Sequence, residues 1–159
     1  MISSQVPTIQ LREIKNVRDA LIVREIRNEC RLFMTNDSSS INIFRQLVWY
    51  LTKYKPQNNK GGMYGFLFKT NGRSAGFGLI SLKNGKYFVT GGLRKSERGK
   101  GLGKRLFLEL IKSVPSKEVW LEVLDSNIAA KKLYIALGFR KTSQIQANGK
   151  KVNVMIIGK

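Results

Sequence analysis

The stretch Leu93-Arg94-Lys95-Ser96-Glu97-Arg98-Gly99-Lys100-Gly101-Leu102-Gly103-Lys104 decides the fold, because a predicted strand ends in it and a predicted helix begins in it. Its three glycines have no Cβ atom and allow the backbone to approach a ligand closely. The first amides of a helix lack intrahelical partners, and together with the helix dipole they form an anion site. The basic side chains of the stretch add positive charge. The stretch therefore predicts a phosphate or pyrophosphate site, the alternative being a glycine-rich turn with solvated basic residues.

Three runs rich in Phe, Tyr, Val and Gly precede this stretch, and they predict an antiparallel meander of strands at Met63–Lys69, Arg73–Leu82 and Lys86–Leu93. Asn71-Gly72 and Asn84-Gly85 separate the runs, and Asn-Gly between apolar runs is typical of a β-hairpin. The strand before the glycine-rich turn thus belongs to a meander, and no Gly-Lys-Ser/Thr follows it. These features exclude a Walker loop and a dinucleotide-binding βαβ unit.

The rest of the chain predicts alternating strands and helices. A helix over 41–54 is expected to bury a face at three- and four-residue spacing and to end before Pro56; its members are Ile41, Phe44, Leu47, Val48 and Leu51. The other predicted elements are a strand at 8–14, a helix capped by Asn16, a helix at 101–113, a strand at Val119–Leu124, a helix at Asn127–Leu137 and strands at 139–146 and 151–157. Together they predict one mixed α/β domain over residues 1–159.

Composition limits the chemistry that is available. The chain has 159 residues with 29 Lys and Arg against 10 Asp and Glu, a net charge of +19 that attracts polyanions. It has no histidine, which excludes histidine-based triads and the usual zinc ligand sets, so no metal is expected. A single cysteine, Cys30, excludes an internal disulfide and agrees with a cytoplasmic protein. No apolar run is long enough for a membrane span, and the N-terminus lacks signal-peptide features.

A second stretch, Val119–Tyr134, carries three residues of interest. Glu122 lies within an apolar strand, where burial is costly for a carboxylate and raises its pKa. Asn127 begins a helix, and Tyr134 lies two turns further along it. Each has an ordinary interpretation: an edge-strand surface residue, an N-cap and a core aromatic. Their presence together behind the glycine-rich turn favours a site.

The two stretches resemble a known family. Arg98-Gly-Lys-Gly-Leu-Gly103 resembles the acyl-CoA pyrophosphate loop of the GNAT superfamily of N-acetyltransferases, and Asn127–Tyr134 with Leu137-Gly-Phe139 resembles its second motif. The order of elements matches that fold along nearly the whole chain. The resemblance implies a mixed, mostly antiparallel central sheet of about seven strands flanked by four helices. The stretch Leu121–Tyr134 is particularly similar to bacterial enzymes that acetylate the N-terminal alanine of a ribosomal protein.

The resemblance also implies a mechanism with acetyl-CoA as the donor. Backbone amides of residues 98–103 would hold the pyrophosphate, and the main chain near Gly92 and Leu93 would pair with the pantetheine arm, which the Asn127 side chain would also contact. The Leu93 N–H would polarise the thioester carbonyl while a neutral amine attacks directly. Glu122 would take the proton of the amine, and Tyr134 would protonate the leaving thiolate. Cys30 lies outside both motifs, so no covalent acetyl-cysteine step is expected.

The distribution of charge bears on the acceptor amine. Residues 38–96 contain no Asp or Glu but many Lys and Arg, and in the family this part of the chain shapes the acceptor side. A basic acceptor side repels polyamines and aminoglycosides and attracts an amine on an anionic carrier, such as an amino sugar nucleotide, a nucleic acid or an acidic peptide. Trp49, Tyr50 and Tyr54 are candidates for stacking on a base or sugar ring, the alternative being a place in the core.

Two other functions remain open at this point. One is a basic nucleic-acid-binding module that keeps the fold as a scaffold, since fold does not fix function. The other is a transferase of a different acyl group. The sequence does not define an oligomeric state; the last predicted hairpin has an edge that either pairs with another subunit or is solvated.

Overall fold

The computed structural model describes residues 6–159, and the order of its elements follows the predicted order. The strands are β1 (Ile9–Glu13), β2 (Met63–Thr70), β3 (Arg73–Lys83), β4 (Lys86–Leu93), β5 (Glu118–Leu124), β6 (Arg140–Ala147) and β7 (Lys150–Gly158). The helices are α1 (Val17–Glu29), α2 (Ile43–Trp49), α3 (Lys55–Asn59), α4 (Leu102–Ser113) and α5 (Ile128–Leu137). A π-helical segment, Tyr50–Tyr54, joins α2 to α3 without a break, so the sheet is flanked by four helical rods.

Three hairpins in the sheet depend on the Asn-Gly pairs. Each Asn has a positive φ near 50° and each following Gly a φ near 75°, the left-handed conformation that a two-residue hairpin turn of this type needs. These turns connect β2 to β3, β3 to β4 and β6 to β7 in antiparallel register. The predicted meander and final hairpin are therefore confirmed.

The seven-stranded sheet has the order β1-β2-β3-β4-β5-β7-β6. Every neighbouring pair is antiparallel except β4 and β5, which are parallel and paired only at Phe88 and Trp120. Among the described residues β4 and β5 have no further paired positions, which indicates that the two strands diverge beyond this pair. The mixed, mostly antiparallel sheet predicted from the sequence is confirmed, and its one parallel junction provides a gap.

Two separate apolar clusters cover the two faces of the sheet. Leu106 and Leu110 of α4 pack with Phe68 on one face, together with α5. Ile26 of α1 packs with Leu67 on the other face, together with the tyrosines of the π-helical segment. Leu67 and Phe68 are neighbours in β2 and point to opposite faces, as the two-residue period of a strand requires. Within the described residues, no helix is both long and apolar enough to cross a membrane.

The helix predicted over 41–54 differs from expectation in its bounds and its buried face. It begins after Asn42, whose side chain accepts a hydrogen bond from Arg45 N, and it continues past Pro56, which occupies the first turn of α3. Pro56 closely follows the π-helical segment, where the regular i−4 hydrogen-bond pattern is already interrupted. The buried side chains are Gln46, Tyr50 and Tyr54, whereas the predicted apolar face is largely exposed, with Phe44 at 74% and Leu51 at 55%.

Candidate active site

A cleft of about 860 Å³ opens where β4 and β5 diverge. Its walls include Leu93 at the end of β4, Glu122 in β5 and Tyr134 in α5, which the sequence analysis had placed in one site. Gly92, Arg98, Gly99, Gly103 and Asn127 also line it. The fold thus brings residues from two distant stretches to a single gap in the sheet.

The edge of β4 offers an unpartnered N–H to this gap. The N–H of Arg94 donates to Ala75 O of β3 over 2.8 Å. Because successive N–H groups of a strand point to opposite edges, the N–H of Leu93 points away from β3 and toward the gap. The Leu93 carbonyl lies on the same edge and accepts from Cys30 Sγ at 3.2 Å.

The glycine-rich turn presents its backbone as the sequence predicts. Gly99 and Gly101 have φ values of 77° and 76°, and no atom lies within 4 Å of a Cβ built on either residue. α4 starts at Leu102, and no side chain caps it at Gly101. Within residues 6–159, the amides of residues 99–103 have no backbone acceptor. A row of such amides at a helix start fits a diphosphate.

The basic side chains of the turn are arranged differently from expectation. Lys100 Nζ lies 3.3 Å from Glu97 Oε2, and Lys104 is exposed. Arg94 donates to Ser74 O and pairs with Glu25 and Glu29 of α1. Because the Arg94 N–H also donates to Ala75 O, both its side chain and its N–H have partners within the protein, and its role in cofactor binding stays a prediction.

Arg98 also faces the acceptor-side helix. Its Nη2 donates to Glu29 O at 3.0 Å and lies 3.4 Å from Leu93 O, and its guanidinium is 5.5 Å from the centre of the Phe33 ring. Arg98 therefore joins the end of α1 to the end of β4. Sequence reasoning missed this role because the partners lie about 65 to 70 residues apart in the chain.

The proposed proton-transfer pair lines one cleft. Glu122 is partly exposed in β5, and the Tyr134 side chain is buried in α5. Phe107 and Phe139 pack edge-on to the Tyr134 ring at centroid distances of 4.9 and 6.0 Å. A tyrosine hydroxyl is protonated at neutral pH, and burial raises the pKa of Tyr134 further. Asn127 caps α5, its Oδ1 accepting from Ala130 N at 3.2 Å.

Cys30 lies on the cleft wall, which sequence reasoning did not predict. Its thiol is buried against Gly92, where a built Cβ would lie only 2.7 Å from Sγ. Burial raises the pKa of the Cys30 thiol, although the nearby Arg98 acts in the opposite direction. A buried thiol with a raised pKa is a poor nucleophile, and its hydrogen bond to Leu93 indicates a packing role.

The acceptor half of the cleft lies between the β3–β4 hairpin and the α1 and α2 helices. A loop at 34–42 borders it and is held by α1 side chains: Arg24 and Asn28 donate to Ile41 O, and Arg27 donates to Ser39 O. Asn148, at the turn of the last hairpin, donates to Asn36 O in the same loop. The loop is thus fixed on both sides. Nothing in the sequence pointed to these contacts.

The three aromatic candidates for stacking separate in the structure. Tyr50 and Tyr54 are buried in the core, with 4% and 2% exposure, so the stacking role expected for them is wrong. The Tyr54 hydroxyl accepts from Gly65 N at 3.1 Å, and burial raises the pKa of Tyr54 to about 12. Trp49 is partly exposed and lines the cleft, its ring centre 5.4 Å from that of Tyr54.

The diverging strands, the glycine-rich turn, Glu122 and Tyr134 meet at one cleft. A family model described as the acetyltransferase (GNAT) family matches residues 22–139. Since this match covers most of the chain, the protein belongs to that family.

Relatives and solved structures agree with this membership. The spermine/spermidine N(1)-acetyltransferase of Bacillus subtilis (strain 168) is 36% identical over 61 residues, which cover 36% of this chain and 40% of that protein. This relative is a polyamine enzyme, so it supports the family and not the ribosomal-protein-alanine subtype. The spermidine N-acetyltransferase of Vibrio cholerae, solved with CoA and spermine, superposes with a TM-score of 0.78 at 15% identity over 94% of this chain and 95% of its own. An N-acetyltransferase of Staphylococcus aureus Mu50 has a TM-score of 0.76 at 17% identity, with 95% and 98% coverage.

Proposed function

We propose that this protein is an acetyl-CoA-dependent N-acetyltransferase in which a primary amine attacks the thioester directly. The observation that carries the proposal is the row of amides without backbone acceptors at residues 99–103, beside the cleft that contains Glu122 and Tyr134. These amides would hold the pyrophosphate of CoA, and the backbone edge at Gly92 and Leu93 would pair with the pantetheine arm. The Asn127 amide group would contact the same arm.

The proton-transfer roles are those that the family resemblance implies for two side chains that line this cleft. An ammonium has no lone pair, so Glu122, directly or through a water molecule, would remove a proton from the amine. The Leu93 N–H would polarise the carbonyl of the acetyl group. Tyr134, protonated at neutral pH, would give its proton to the CoA thiolate as the C–S bond breaks. These roles come from the resemblance of Leu121–Tyr134 to the ribosomal-protein-alanine enzymes.

The acceptor proposed here is an amine with an anionic carrier. Among the described residues that line the cleft, the carboxylates are Asp37 and Glu122, and Asp37 is paired with Arg45 at 3.0 Å. Basic residues outnumber them on the same walls; they are Arg27, Arg45, Lys53, Lys83 and Arg98. A polycationic amine such as spermine would meet a net positive surface, whereas an anionic acceptor would be attracted.

Two measurements test the proposal. Isothermal titration calorimetry with acetyl-CoA is expected to give a dissociation constant below the millimolar range, and absence of binding would refute the transferase. A thiol-release assay then compares spermine, glucosamine, a UDP-linked amino sugar and an alanine-initiated peptide. Turnover that is fastest with spermine would contradict an anionic acceptor and leave the transferase intact.

A net charge of +19 also supports a second candidate, a nucleic-acid-binding module. Filter binding of a short RNA over a range of salt concentrations tests it, because phosphate contacts give a steep loss of affinity with salt. Lack of binding at low salt would exclude this candidate.

A further inference from the structure

We infer that Trp49, Lys53 and Lys83 form a subsite for the phosphorylated part of the acceptor, and that the acceptor is a nucleotide-linked amine. This inference rests on the proposed function and names its substrate class. These three residues, the acceptor subsite, all line the cleft.

The α2–α3 rod borders the cleft. Arg45, Trp49, Lys53 and Gln57 follow one another at four-residue spacing, and all line the cleft. Because Trp49 and Lys53 both line the cleft, this rod presents an aromatic ring and an ammonium group to the same wall. A ring and a cation in succession match the base or sugar ring of a nucleotide followed by its phosphate.

Some of the cations that line the cleft already have partners within the protein. Arg45 is paired with Asp37, and Arg27 donates to backbone carbonyls of the 34–42 loop. Among residues 6–159, Lys53 and Lys83 have no carboxylate within ion-pair distance; Lys83 Nζ lies only near the Phe88 ring, at 5.7 Å. A lysine side chain is a flexible point charge suited to phosphate oxygens. The two lysines therefore supply positive charge that the described part of the protein does not neutralise.

The loop beside the cleft bears on the size of the acceptor. The 34–42 loop borders the acceptor half and is held by α1 and by Asn148. A border that is held on both sides leaves less room for a polymer than for a small ligand. Lys53 and Lys83 line the cleft from two elements that meet at Gly62, whose N–H donates to Gln57 O and whose carbonyl accepts from Leu82 N. Together these features favour a nucleoside diphosphate carrier over a nucleic acid.

The experiment measures UDP binding by calorimetry to protein saturated with CoA, so that the pyrophosphate turn is already occupied. The wild type is expected to bind UDP, and Lys53→Gln and Lys83→Gln are each expected to weaken binding at least about tenfold, as the loss of a charged hydrogen bond implies. Trp49→Leu should weaken UDP more than inorganic pyrophosphate. Lys55→Gln is the matched control, because Lys55 is exposed on the same helical rod and does not line the cleft.

Equal UDP affinity in wild type, Lys53→Gln and Lys83→Gln would overturn the subsite, and so would an equal loss in Lys55→Gln. Tighter binding of spermine, or of a short RNA, than of UDP would also overturn it. CoA affinity and thermal unfolding of each variant should match the wild type, and a variant that fails this check is replaced by Lys→Met at the same position. If CoA itself does not bind, the transferase proposal fails; if CoA binds and UDP does not, only the acceptor subsite fails.

Discussion

Arg98 Nη2 lies 3.0 Å from the backbone oxygen of Glu29, so the first residue of the glycine-rich turn is bonded to the last residue of α1. The last carbonyls of a helix lack intrahelical donors and carry partial negative charge, which makes a guanidinium a favourable partner. Arg98 also approaches Leu93 O at 3.4 Å. A residue that sequence reasoning assigned to the pyrophosphate therefore also holds the acceptor-side helix against the donor-side strand.

Replacing Arg98 by Met should reduce stability more than it reduces CoA affinity. We expect the free energy of unfolding to fall by about 1–3 kcal/mol, because a charged donor to partly buried carbonyls is lost. Backbone amides, which the substitution keeps, should limit the loss of CoA affinity. Denaturant unfolding and calorimetry measure the two effects. Lys104→Met, which removes an exposed charge, is the control and should change stability by less than about 0.5 kcal/mol.

A Cβ at Gly101 should interfere with CoA binding specifically. Gly101 and Gly72 have nearly identical φ values, 76° and 77°, and open space around a built Cβ. Gly101→Ala and Gly72→Ala should thus cost similar stability, about 1–2 kcal/mol for a left-handed alanine. Only Gly101→Ala is expected to lower CoA affinity, by about tenfold or more, in calorimetry. Equal CoA affinity in both variants would show that the turn at Gly101 does not contact CoA.

Glu122→Gln and Tyr134→Phe should keep CoA affinity and lose turnover. Each proton-transfer role contributes about 10²–10⁴-fold to rate, so single-turnover acetylation should slow by that factor once an acceptor is known. Tyr134→Phe keeps the aromatic packing against Phe107, which separates the loss of the hydroxyl from unfolding. Wild-type rates in either variant would remove the role assigned to that residue.

The buried face of the α2–α3 rod can be tested with a pair of substitutions. Leu51 is 55% exposed, so Leu51→Ala should change the free energy of unfolding by less than about 0.5 kcal/mol. Tyr54 is 2% exposed, and Tyr54→Ala should cost about 3–5 kcal/mol, as for other large core aromatics. Thermal and denaturant unfolding give both values. A larger loss of stability for Leu51→Ala than for Tyr54→Ala would indicate that the aliphatic face predicted from the sequence is the buried one.

Asp19 should make stability depend on acidic pH. Burial alone would raise the pKa of Asp19, but hydrogen bonds from Lys15 N and from the Arg12 guanidinium outweigh it and lower the pKa below the ordinary 3.8. A lowered folded pKa contributes stability that is present above the ordinary value and is lost as pH falls through the folded value. Asp19→Asn should therefore unfold more easily at pH 7, by about 1–3 kcal/mol, and differ less from wild type near pH 3. Glu118→Gln, which removes a carboxylate at an exposed position, is the control variant.

Local patterns in the sequence determined the order of elements, the three Asn-Gly hairpins and the amide-lined turn. The reason is that turn chemistry and the absence of a Cβ act within a few residues. The helix predicted at 101–113 is present as α4, and Leu102, Leu106 and Leu110 are buried on its single apolar face.

Only the tertiary structure decided which side chains are buried and which are paired with groups far away in the chain. The α2–α3 rod has an aliphatic face and a tyrosine face, and the tyrosines are buried because the Tyr54 hydroxyl reaches Gly65 N, which no periodicity encodes. Arg94 and Arg98 turn to α1 because carboxylates and helix-end carbonyls about 65 to 70 residues away lie within reach. The sequence by itself thus determined where the turn with exposed backbone amides lies. Only long-range packing decided which basic side chains remain available at the acceptor end of the cleft.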